Sequence, residues 1–276
     1  MQTISSGERV VASPELHFTE PFTEKRTLQT ESVIVVRDLV KRFDEVTAVN
    51  HLNLTIHKGE MFGFLGPNGA GKTTTISMLC GLLKPSAGSA QIAGYDIAGE
   101  PQKVKAHIGV CPQEAAVFKF LSGMENLILF GNLHGMNPQL IKERAAKLVE
   151  QADFADAARR KAKGYSGGMM RQLNLLIALI SDPEIVFLDE PTVGMDARAR
   201  RRTWERIASL KDEGKTVILT THYIEEAETL SDRVGIIDYG ELIALDTPKA
   251  LMEAHHVDDL EGVFLKITGR RIAEGM

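Results

Sequence analysis

The chain has 276 residues, which is enough for one large α/β domain or two modest ones. Hydrophobic residues make up 43% of it and charged residues 25%, so the composition is that of a globular protein with a sizeable buried core. The formal net charge of -5 argues against a general nucleic-acid binder, which usually needs a basic face, and no nucleic-acid partner is expected.

The first predicted elements lie in the N-terminal quarter of the chain. Residues 1–32 are rich in Ser, Thr and Glu and show no sustained hydrophobic period, which predicts a flexible extension. Apolar runs or alternations over 33–36, 52–56 and 61–65 each predict a strand, and the last has the composition of a buried one. A glycine-rich segment follows this buried strand directly.

That segment fits the phosphate-loop motif GxxxxGK[ST] in full and opens a predicted helix over 73–83. Its glycines let backbone N–H groups point inward at phosphate oxygens, and the helix presents its positive end to the same anion. Lys72 supplies a positive charge to the β- and γ-phosphates, and the Thr73 hydroxyl suits Mg²⁺, which prefers oxygen ligands. The alternative is a glycine-rich turn that binds nothing, and the strand before and helix after the motif argue against it. The predicted nucleotide-binding residues of this segment are Gly66, Pro67, Asn68, Gly69, Ala70, Gly71, Lys72, Thr73 and Thr74.

Helical patterns dominate the middle of the chain. Apolar residues recur at helical spacing over 127–133 and 141–154. Between 173 and 180 they occupy positions i, i+3, i+4 and i+7, which form one face of a helix.

Strands return in the second half of the chain. Uninterrupted, β-branched runs at 185–188 and 216–219 predict strands of a parallel sheet that is covered on both faces. A helix predicted over 198–212 lies between them and completes a βαβ unit, and a further short strand is predicted over 234–237. Four arginines of that helix are interpreted as a solvated face rather than a nucleic-acid contact: Arg198, Arg200, Arg201 and Arg202.

Three polar residues follow these two strands. Asp189 lies at the carboxyl end of the first strand, where ligands of open α/β sheets bind, and can hold Mg²⁺ directly or through water. Glu190 is the better candidate to orient or deprotonate an attacking water. His222 follows the second strand at the same sheet edge and can hydrogen-bond a γ-phosphate, although a lone histidine is more often structural.

The order of these motifs resembles the ATP-binding cassette of ABC transporters over about residues 33–247. The phosphate loop is followed, as in that family, by Gln113, Tyr165-Ser166-Gly167-Gly168-Met169, Leu188-Asp189-Glu190, Asp196 and His222. The Ser-Gly-Gly element separates ABC proteins from other phosphate-loop NTPases. The family's usual Leu-Ser-Gly-Gly-Gln here begins with Tyr165 and ends with Met169, whose side chain has no amide, so any role of that side chain is in doubt.

The resemblance implies an α/β fold: a phosphate-loop NTPase core with a mostly parallel sheet, an antiparallel β subdomain and a helical subdomain that carries the Ser-Gly-Gly signature. The expected boundaries are a cassette at residues 33–247 and a C-terminal tail at 248–276. Within the cassette, the helical subdomain is expected at about 113–182.

The Ser-Gly-Gly element also has a physical logic of its own. Ser166 is placed to N-cap a helix that begins near Met169, and Gly167 and Gly168 leave backbone N–H groups accessible to an anion. The resemblance implies that this anion is the γ-phosphate held by another subunit. Two cassettes would then dimerise head to tail around two ATP molecules, with Asp196 at the seam.

Two more roles come from the resemblance alone. It assigns Gln113 to a loop that senses Mg²⁺ and the membrane partner, and it assigns Phe43 to stacking on adenine. The motion of the cassette would pass through this loop and through residues 118–121. Without the resemblance, Phe43 would be interpreted as core packing.

The function implied is ATP hydrolysis, with ATP and Mg²⁺, coupled to transport. The variant signature and residues 260–270 resemble the subgroup that drives type-two exporters of drugs, polysaccharide or sodium. No run of about 18 apolar residues predicts a membrane span, so a separate polytopic permease is expected. The chain would work as a homodimer in the cytoplasm, on the inner face of the cell membrane, and Cys80 and Cys111, without a CxxC, are typical of a reduced cytosolic protein.

Two other classes of function stay open on the sequence. A soluble ABC ATPase acting on ribosomes or DNA usually carries two cassettes or long coiled coils, and this chain has one cassette and no sustained heptads. A regulatory binding module would depend on dimerisation more than on turnover, and the intact Asp189, Glu190 and His222 argue against it.

Overall fold

Two patterns of strand burial produce two different sheets in the computed structural model, which describes residues 31–270. Strands that alternate between buried and exposed positions pair antiparallel, because one face of such a sheet packs on the core and the other meets water. Strands that are buried almost throughout pair in parallel, because other elements cover both of their faces.

The strands of the described residues are β1 (Ser32–Phe43), β2 (Val46–His57), β3 (Met61–Leu65), β4 (Ala87–Ile92), β5 (Tyr95–Asp96), β6 (Ile108–Cys111), β7 (Ile185–Asp189), β8 (Thr216–Thr221), β9 (Arg233–Asp238) and β10 (Glu241–Asp246). An antiparallel sheet has the order β2-β1-β4-β5. A second sheet has the order β10-β9-β3-β8-β7-β6 and is parallel except for the hairpin of β9 and β10. The predicted fold class, a mostly parallel sheet with an antiparallel β subdomain, is confirmed.

The helices are α1 (Lys72–Leu79), α2 (Pro101–His107), α3 (Gly123–Leu133), α4 (Pro138–Gln151), α5 (Ala155–Ala158), α6 (Gly167–Leu179), α7 (Ala197–Asp212), α8 (Ile224–Leu230), α9 (Pro248–His255) and α10 (Leu260–Thr268), with a 3-10 turn at Ala162–Gly164. Helices α3, α4 and α6 share one hydrophobic cluster with alternate residues of β7, such as Val186 and Leu188. The other face of β7, through Ile185 and Phe187, joins a second cluster between the two sheets. The parallel sheet is therefore covered on both faces, as its apolar strands require.

The predicted βαβ unit is confirmed, because β7 and β8 are parallel neighbours joined through α7. The predicted helix over 73–83 is too long, since Gly81 takes a left-handed conformation (φ 65°) that ends α1 at Leu79. The helix predicted over 141–154 likewise stops at Gln151, just before the left-handed Asp153. Both errors came from apolar residues beyond the helix end that continue the periodic pattern.

The two ends of the described chain differ from their sequence predictions in detail. Residues 1–30 of the predicted extension lie outside the described residues, and Ser32, at its end, already belongs to β1. The predicted tail contains α9 and α10, and Leu251 and Phe264 from these helices pack with Ile236 of β9.

Cys80 and Cys111 are free and buried, and burial raises the pKa of both thiols. Within residues 31–270 no helix combines the length and the apolar character needed to cross a bilayer.

Candidate functional site

Four neighbouring strands of the parallel sheet, β3, β8, β7 and β6, deliver the predicted site residues to one edge. The strands end nearly level, since Leu65 pairs with Thr221 and Asp189 pairs with Thr220. Because the carboxyl ends of parallel strands meet at one edge, the segments that follow them lie side by side. Those segments carry, in the order of the four strands, Lys72, His222, Glu190 and Gln113.

The phosphate loop turns tightly between β3 and α1. Gly69 and Gly71 have φ values of 82° and 102°, which side chains other than glycine rarely adopt. A Cβ on Gly71 would lie 2.3 Å from the carbonyl oxygen of Ala48, so this position also requires glycine for space. The first-turn N–H groups of α1 have no acceptor inside the helix and can bind an anion.

Lys72 lies inside this loop, with only 4% of its surface exposed. Its Nζ donates to the carbonyl oxygens of Gly66 (2.7 Å) and Pro67 (3.0 Å) and lies 3.6 Å from Glu190 Oε1. Burial lowers the pKa of Lys72, while the negative charges of Glu190 and Asp189 oppose that shift. The ammonium group is therefore held where the loop and the two carboxylates converge.

Asp189 and Thr73 provide neighbouring oxygens beside the loop. Thr73 Oγ1 donates to Asp189 Oδ1 at 3.1 Å, and Thr220 Oγ1 donates to the same oxygen at 2.5 Å. A hydroxyl and a carboxylate next to a phosphate site are a donor set that Mg²⁺ uses, since this ion takes one or two protein oxygens plus phosphate and water. The residues present therefore fit the Mg²⁺ that the resemblance implies.

Glu190 is the most heavily contacted carboxylate of the edge. Its Oε1 lies 3.1 Å from His222 Nδ1, and its Oε2 accepts a hydrogen bond of 3.2 Å from Gln113 Nε2. Burial acts to raise the pKa of Glu190, but the hydrogen bonds and charges of His222 and Lys72 outweigh it and lower the pKa overall. The side chain is therefore a carboxylate at neutral pH, able to orient a water or accept its proton.

The backbone of Glu190 is strained. Its φ is 49°, in the left-handed region, which costs a residue other than glycine on the order of 1–3 kcal/mol. The backbone N–H of Glu190 donates to both the carbonyl oxygen and Oγ1 of Thr220, at 3.1 Å each, and these bonds hold the turn. In this conformation the Glu190 carboxylate lies beside Lys72 and His222.

Ser166 and Asp196 form a second group of predicted residues away from this edge. Ser166 is the N-cap of α6, as the sequence predicted, with Oγ accepting from the N–H of Met169 at 3.3 Å. Asp196 is the N-cap of α7, accepting from Ala199 at 2.9 Å. Both line a cavity of about 1060 Å³, together with Gly167 and Gly168, and among the described residues its lining includes none of the phosphate loop.

Phe43 does not pack in the core. Its side chain is 45% exposed at the end of β1, and Lys41 Nζ lies 4.8 Å from its ring centroid. The core-packing interpretation is therefore wrong. The β1–β2 hairpin that carries Phe43 also brings Ala48 against Gly71 of the phosphate loop, so the exposed ring lies on an element next to that loop.

Sequence reasoning missed Thr220, which bonds Asp189 and the backbone of Glu190 at once. Thr220 lies in a run of β-branched residues, which predicts a strand. Nothing in that run indicates that the Thr220 side chain also holds Asp189 and Glu190 in place. It also missed Thr192 and Glu226, whose side chains bond each other 34 positions apart in the chain.

The chain matches known proteins by sequence over most of its length. A family model described as ABC transporter matches residues 49–193. The chain is 43% identical over 221 residues to the daunorubicin resistance ATP-binding protein DrrA3 of Streptomyces coeruleorubidus, covering 80% of this chain and 70% of that protein. It is 42% identical over 215 residues to the linearmycin resistance ATP-binding protein LnrL of Bacillus subtilis, with coverage of 78% and 69%. It is 43% identical over 218 residues to the Nod factor export ATP-binding protein I of Burkholderia lata, with coverage of 79% and 72%.

Solved structures with a similar fold include ATP-binding cassettes of ABC transporters. An ATP-binding subunit of an ABC transporter superposes with a TM-score of 0.78 at 25% identity, covering 86% of this chain and 99% of that one. A dimeric ATP-binding cassette in a post-hydrolysis state with ADP and Pi superposes with a TM-score of 0.71, also at 25% identity, covering 78% and 98%.

Proposed function

This chain belongs to the ABC transporter family as an ATP-binding subunit that hydrolyses ATP, and from that premise we propose that it drives export through a separate membrane permease. The observation that carries the ATP-hydrolysing role is the convergence of Lys72, Asp189, Glu190 and His222 at one sheet edge. Export is favoured over import because relatives of this chain are named for drug resistance and for Nod factor export.

Each residue of the edge has a task in hydrolysis. The loop N–H groups and Lys72 bind the β- and γ-phosphates, and Thr73 and Asp189, together with Gln113, would hold Mg²⁺. When bound, Mg²⁺ neutralises charge on the phosphates. Glu190 orients a water and accepts its proton as the water oxygen bonds to the γ-phosphorus, while the bond to the β-phosphate oxygen breaks and ADP leaves.

His222 contributes beside that base. Its Nδ1 lies 3.1 Å from Glu190 Oε1, which fixes the orientation of the ring. The other ring nitrogen can then hydrogen-bond the γ-phosphate. The contact to Glu190 favours this functional role over a purely structural histidine.

The working unit is a head-to-tail dimer of two copies of this chain. Ser166 and Asp196 line one cavity, and the phosphate loop is not part of its lining. Within one chain the signature residues and the phosphate loop therefore do not form a shared nucleotide site. The capped N-terminus of α6, with Gly167 and Gly168, offers N–H groups to the γ-phosphate bound by the partner. A related cassette of similar shape forms a dimer in its own structure, which supports this arrangement.

Ser166→Ala tests the role of the cap in that dimer. Loss of the N-cap bond should cost about 1 kcal/mol in the free energy of unfolding. It should also lower ATP hydrolysis roughly tenfold, because the end of the helix that faces the partner's γ-phosphate frays. The measurements are phosphate release and urea unfolding.

The matched control for Ser166 is Thr247→Ala, which removes the equivalent cap of α9, where Thr247 Oγ1 accepts from Ala250 N at 3.1 Å. This control should lose similar stability and keep full hydrolysis. Equal hydrolysis in the two variants would contradict the proposed role of Ser166.

The proposed contact with the permease is a pair of exposed aromatic side chains that follow Gln113 closely in the chain. Phe118 is 54% exposed and Phe120 is 77% exposed. Burying these apolar rings against a partner protein would be favourable, because it removes apolar surface from water. Asn126 fixes this segment by bonding both the N–H (2.9 Å) and the carbonyl oxygen (3.1 Å) of Phe118. The segment also pairs with the 3-10 turn ahead of the α6 cap, through Lys163 N to Lys119 O at 2.7 Å, so movement there can reach the dimer seam.

We further propose the domain boundaries and location that the family implies. Residues 33–247 form the cassette, with the helical subdomain at about 113–182, and the chain lies on the cytoplasmic face of the cell membrane, bound to its permease. A soluble ATPase acting on ribosomes or DNA is the alternative class.

One experiment separates these classes. The full chain, co-expressed with the polytopic membrane protein of a neighbouring reading frame, should copurify with it in detergent and hydrolyse ATP. Phe120→Ser should abolish copurification while basal hydrolysis persists. Cosedimentation with ribosomes or retention on DNA, without binding to the membrane protein, would contradict the transport proposal.

A further inference from the structure

Glu226 carries a buried carboxyl group that the hydrolysis scheme does not use. It lies on α8, four residues after His222, and none of its surface is exposed. Its Oε1 accepts hydrogen bonds from Thr192 Oγ1 at 2.7 Å and from Trp204 Nε1 at 2.8 Å. Its Oε2 is also buried and, within the described part of the chain, has no hydrogen-bond partner.

These two bonds join three elements that surround the site. Thr192 lies in the loop that leads from Glu190 to Asp196. Trp204 lies on α7, the helix that Asp196 caps. One oxygen of Glu226 therefore ties α8 to the loop that follows Glu190 and to helix α7, which begins at Asp196.

A second set of contacts runs alongside. The Arg200 guanidinium lies 5.3 Å from the Tyr223 ring centroid and 5.8 Å from that of Trp204, so it bridges α7 and the start of α8. The rings of Tyr223 and His222 are 4.2 Å apart. Arg200 is half-buried in this cluster, unlike its exposed neighbours Arg198 and Arg201, and so departs from the solvated face that the sequence predicted.

A buried carboxyl group is a costly way to fill this space. An apolar side chain of the same volume would pack without a desolvation cost, whereas a buried polar group costs free energy unless it is hydrogen-bonded. Burial raises the pKa of Glu226 above its ordinary value, although the hydrogen bonds from Thr192 and Trp204 oppose the shift. What an apolar residue could not provide is an acceptor shared by the loop and α7.

We propose that Glu226 is a positioning residue whose Oε1 holds the loop of residues 191–196 and helix α7 in register with His222. Through this link, His222 beside the γ-phosphate and Asp196 at the dimer seam move together. The inference rests on the proposed function, since the seam has meaning only in the ATP-driven dimer.

Three variants of the full chain test the link. Glu226→Gln keeps an acceptor oxygen for both donors, so kcat should stay within about twofold of the wild-type value. Glu226→Leu removes the acceptor and should lower kcat roughly tenfold while the Kd for ATP is unchanged, because the phosphate loop is untouched. Glu228→Leu, an exposed position on the same helix, is the control and should leave both constants unchanged.

A structural readout tests the link without depending on turnover. Hydrogen–deuterium exchange of residues 191–196 in the nucleotide-free chain should rise in Glu226→Leu and stay at the wild-type level in Glu226→Gln. If Glu226→Leu is too unstable to study, Thr192→Val and Trp204→Phe each remove one donor at nearly constant volume and should show the same rise.

The outcomes separate this inference from the proposed function. Unchanged exchange in Glu226→Leu, or an equal loss of kcat in Glu226→Gln and Glu226→Leu, would overturn the positioning role. A fall in ATP affinity parallel to the fall in kcat would also overturn it, since that pattern indicates general damage. Absence of ATP hydrolysis by the wild-type complex would refute the proposed function instead, and the exchange measurement would still decide the link.

Discussion

Replacing Glu190 by Gln is expected to lower the kcat for ATP hydrolysis by roughly 10²–10³-fold, with little change in ATP affinity. The amide has the shape of the carboxylate and keeps an oxygen toward His222 or Gln113, so the edge stays assembled. It cannot accept a proton from water, and the step that breaks the phosphate bond slows. Lys72 keeps Asp189 as a neighbouring negative charge, so the phosphate site persists.

Two measurements check this result. Phosphate release gives kcat, and size-exclusion chromatography with ATP and Mg²⁺ should show a dimer that accumulates because it cannot reopen. Glu150→Gln, at an exposed position near the end of α4, is the matched control and should behave as wild type. Unchanged steady-state hydrolysis in Glu190→Gln would remove Glu190 from its proposed role.

The contacts of Glu190 also predict how kcat depends on pH. Because His222 and Lys72 lower the pKa of Glu190 overall, the carboxylate persists below the ordinary value for Glu, about 4.3. Glu190 should therefore cause no loss of activity between about pH 5 and pH 8. The check is the pH profile of kcat in the wild type and in Glu190→Gln. A fall in kcat between about pH 7 and pH 5 that is present in the wild type and absent in the variant would contradict the lowered pKa of Glu190.

Lys72→Ala is expected to weaken ATP binding by about 10²-fold, which corresponds to about 3 kcal/mol. The ammonium lies where the loop carbonyls of Gly66 and Pro67 face the carboxylate of Glu190, so its removal takes away the positive charge nearest the phosphates. The carboxylate of Glu190 then loses its ammonium neighbour, and the free energy of unfolding should fall as well, because a buried charge has lost a partner.

Titration with a fluorescent ATP analogue measures the affinity, and urea unfolding measures the stability. Lys249→Ala, at a position 84% exposed on α9, controls for loss of a positive charge and should change neither quantity measurably. An unaltered nucleotide titration in Lys72→Ala would contradict the proposed phosphate contact.

Local features of this protein were predictable because they depend on residues close together in the chain. The phosphate loop needs only its own glycines, Lys72 and the adjoining strand and helix. The cap of α6 joins Ser166 to the N–H three residues later, and both lie in one turn. The strands β3, β7 and β8 each contain a short apolar run, and such runs are typical of a parallel sheet covered on both faces.

Features that join distant segments required the tertiary structure. Gln113 meets Glu190 across 77 positions, and that contact exists because β6 is the neighbour of β7. Phe43 is exposed because it lies at the far end of the β1–β2 hairpin, where it pairs with Val46. The apolar run over 33–36 predicted only the start of β1 and did not show that the strand continues to Phe43.

Glu226 marks the limit of sequence reasoning most clearly. In the sequence it is one acid among Glu225, Glu226 and Glu228, and nothing in its neighbourhood distinguishes it. Its burial and its bonds to Thr192 and Trp204 depend on how α7 and α8 pack beside β8. The sequence alone therefore indicated the chemistry of the phosphate loop, of the Asp189-Glu190 pair and of the Ser166 cap, because each of these motifs is contiguous. Only the packing of helices across the sheet decided which residues hold those motifs in register.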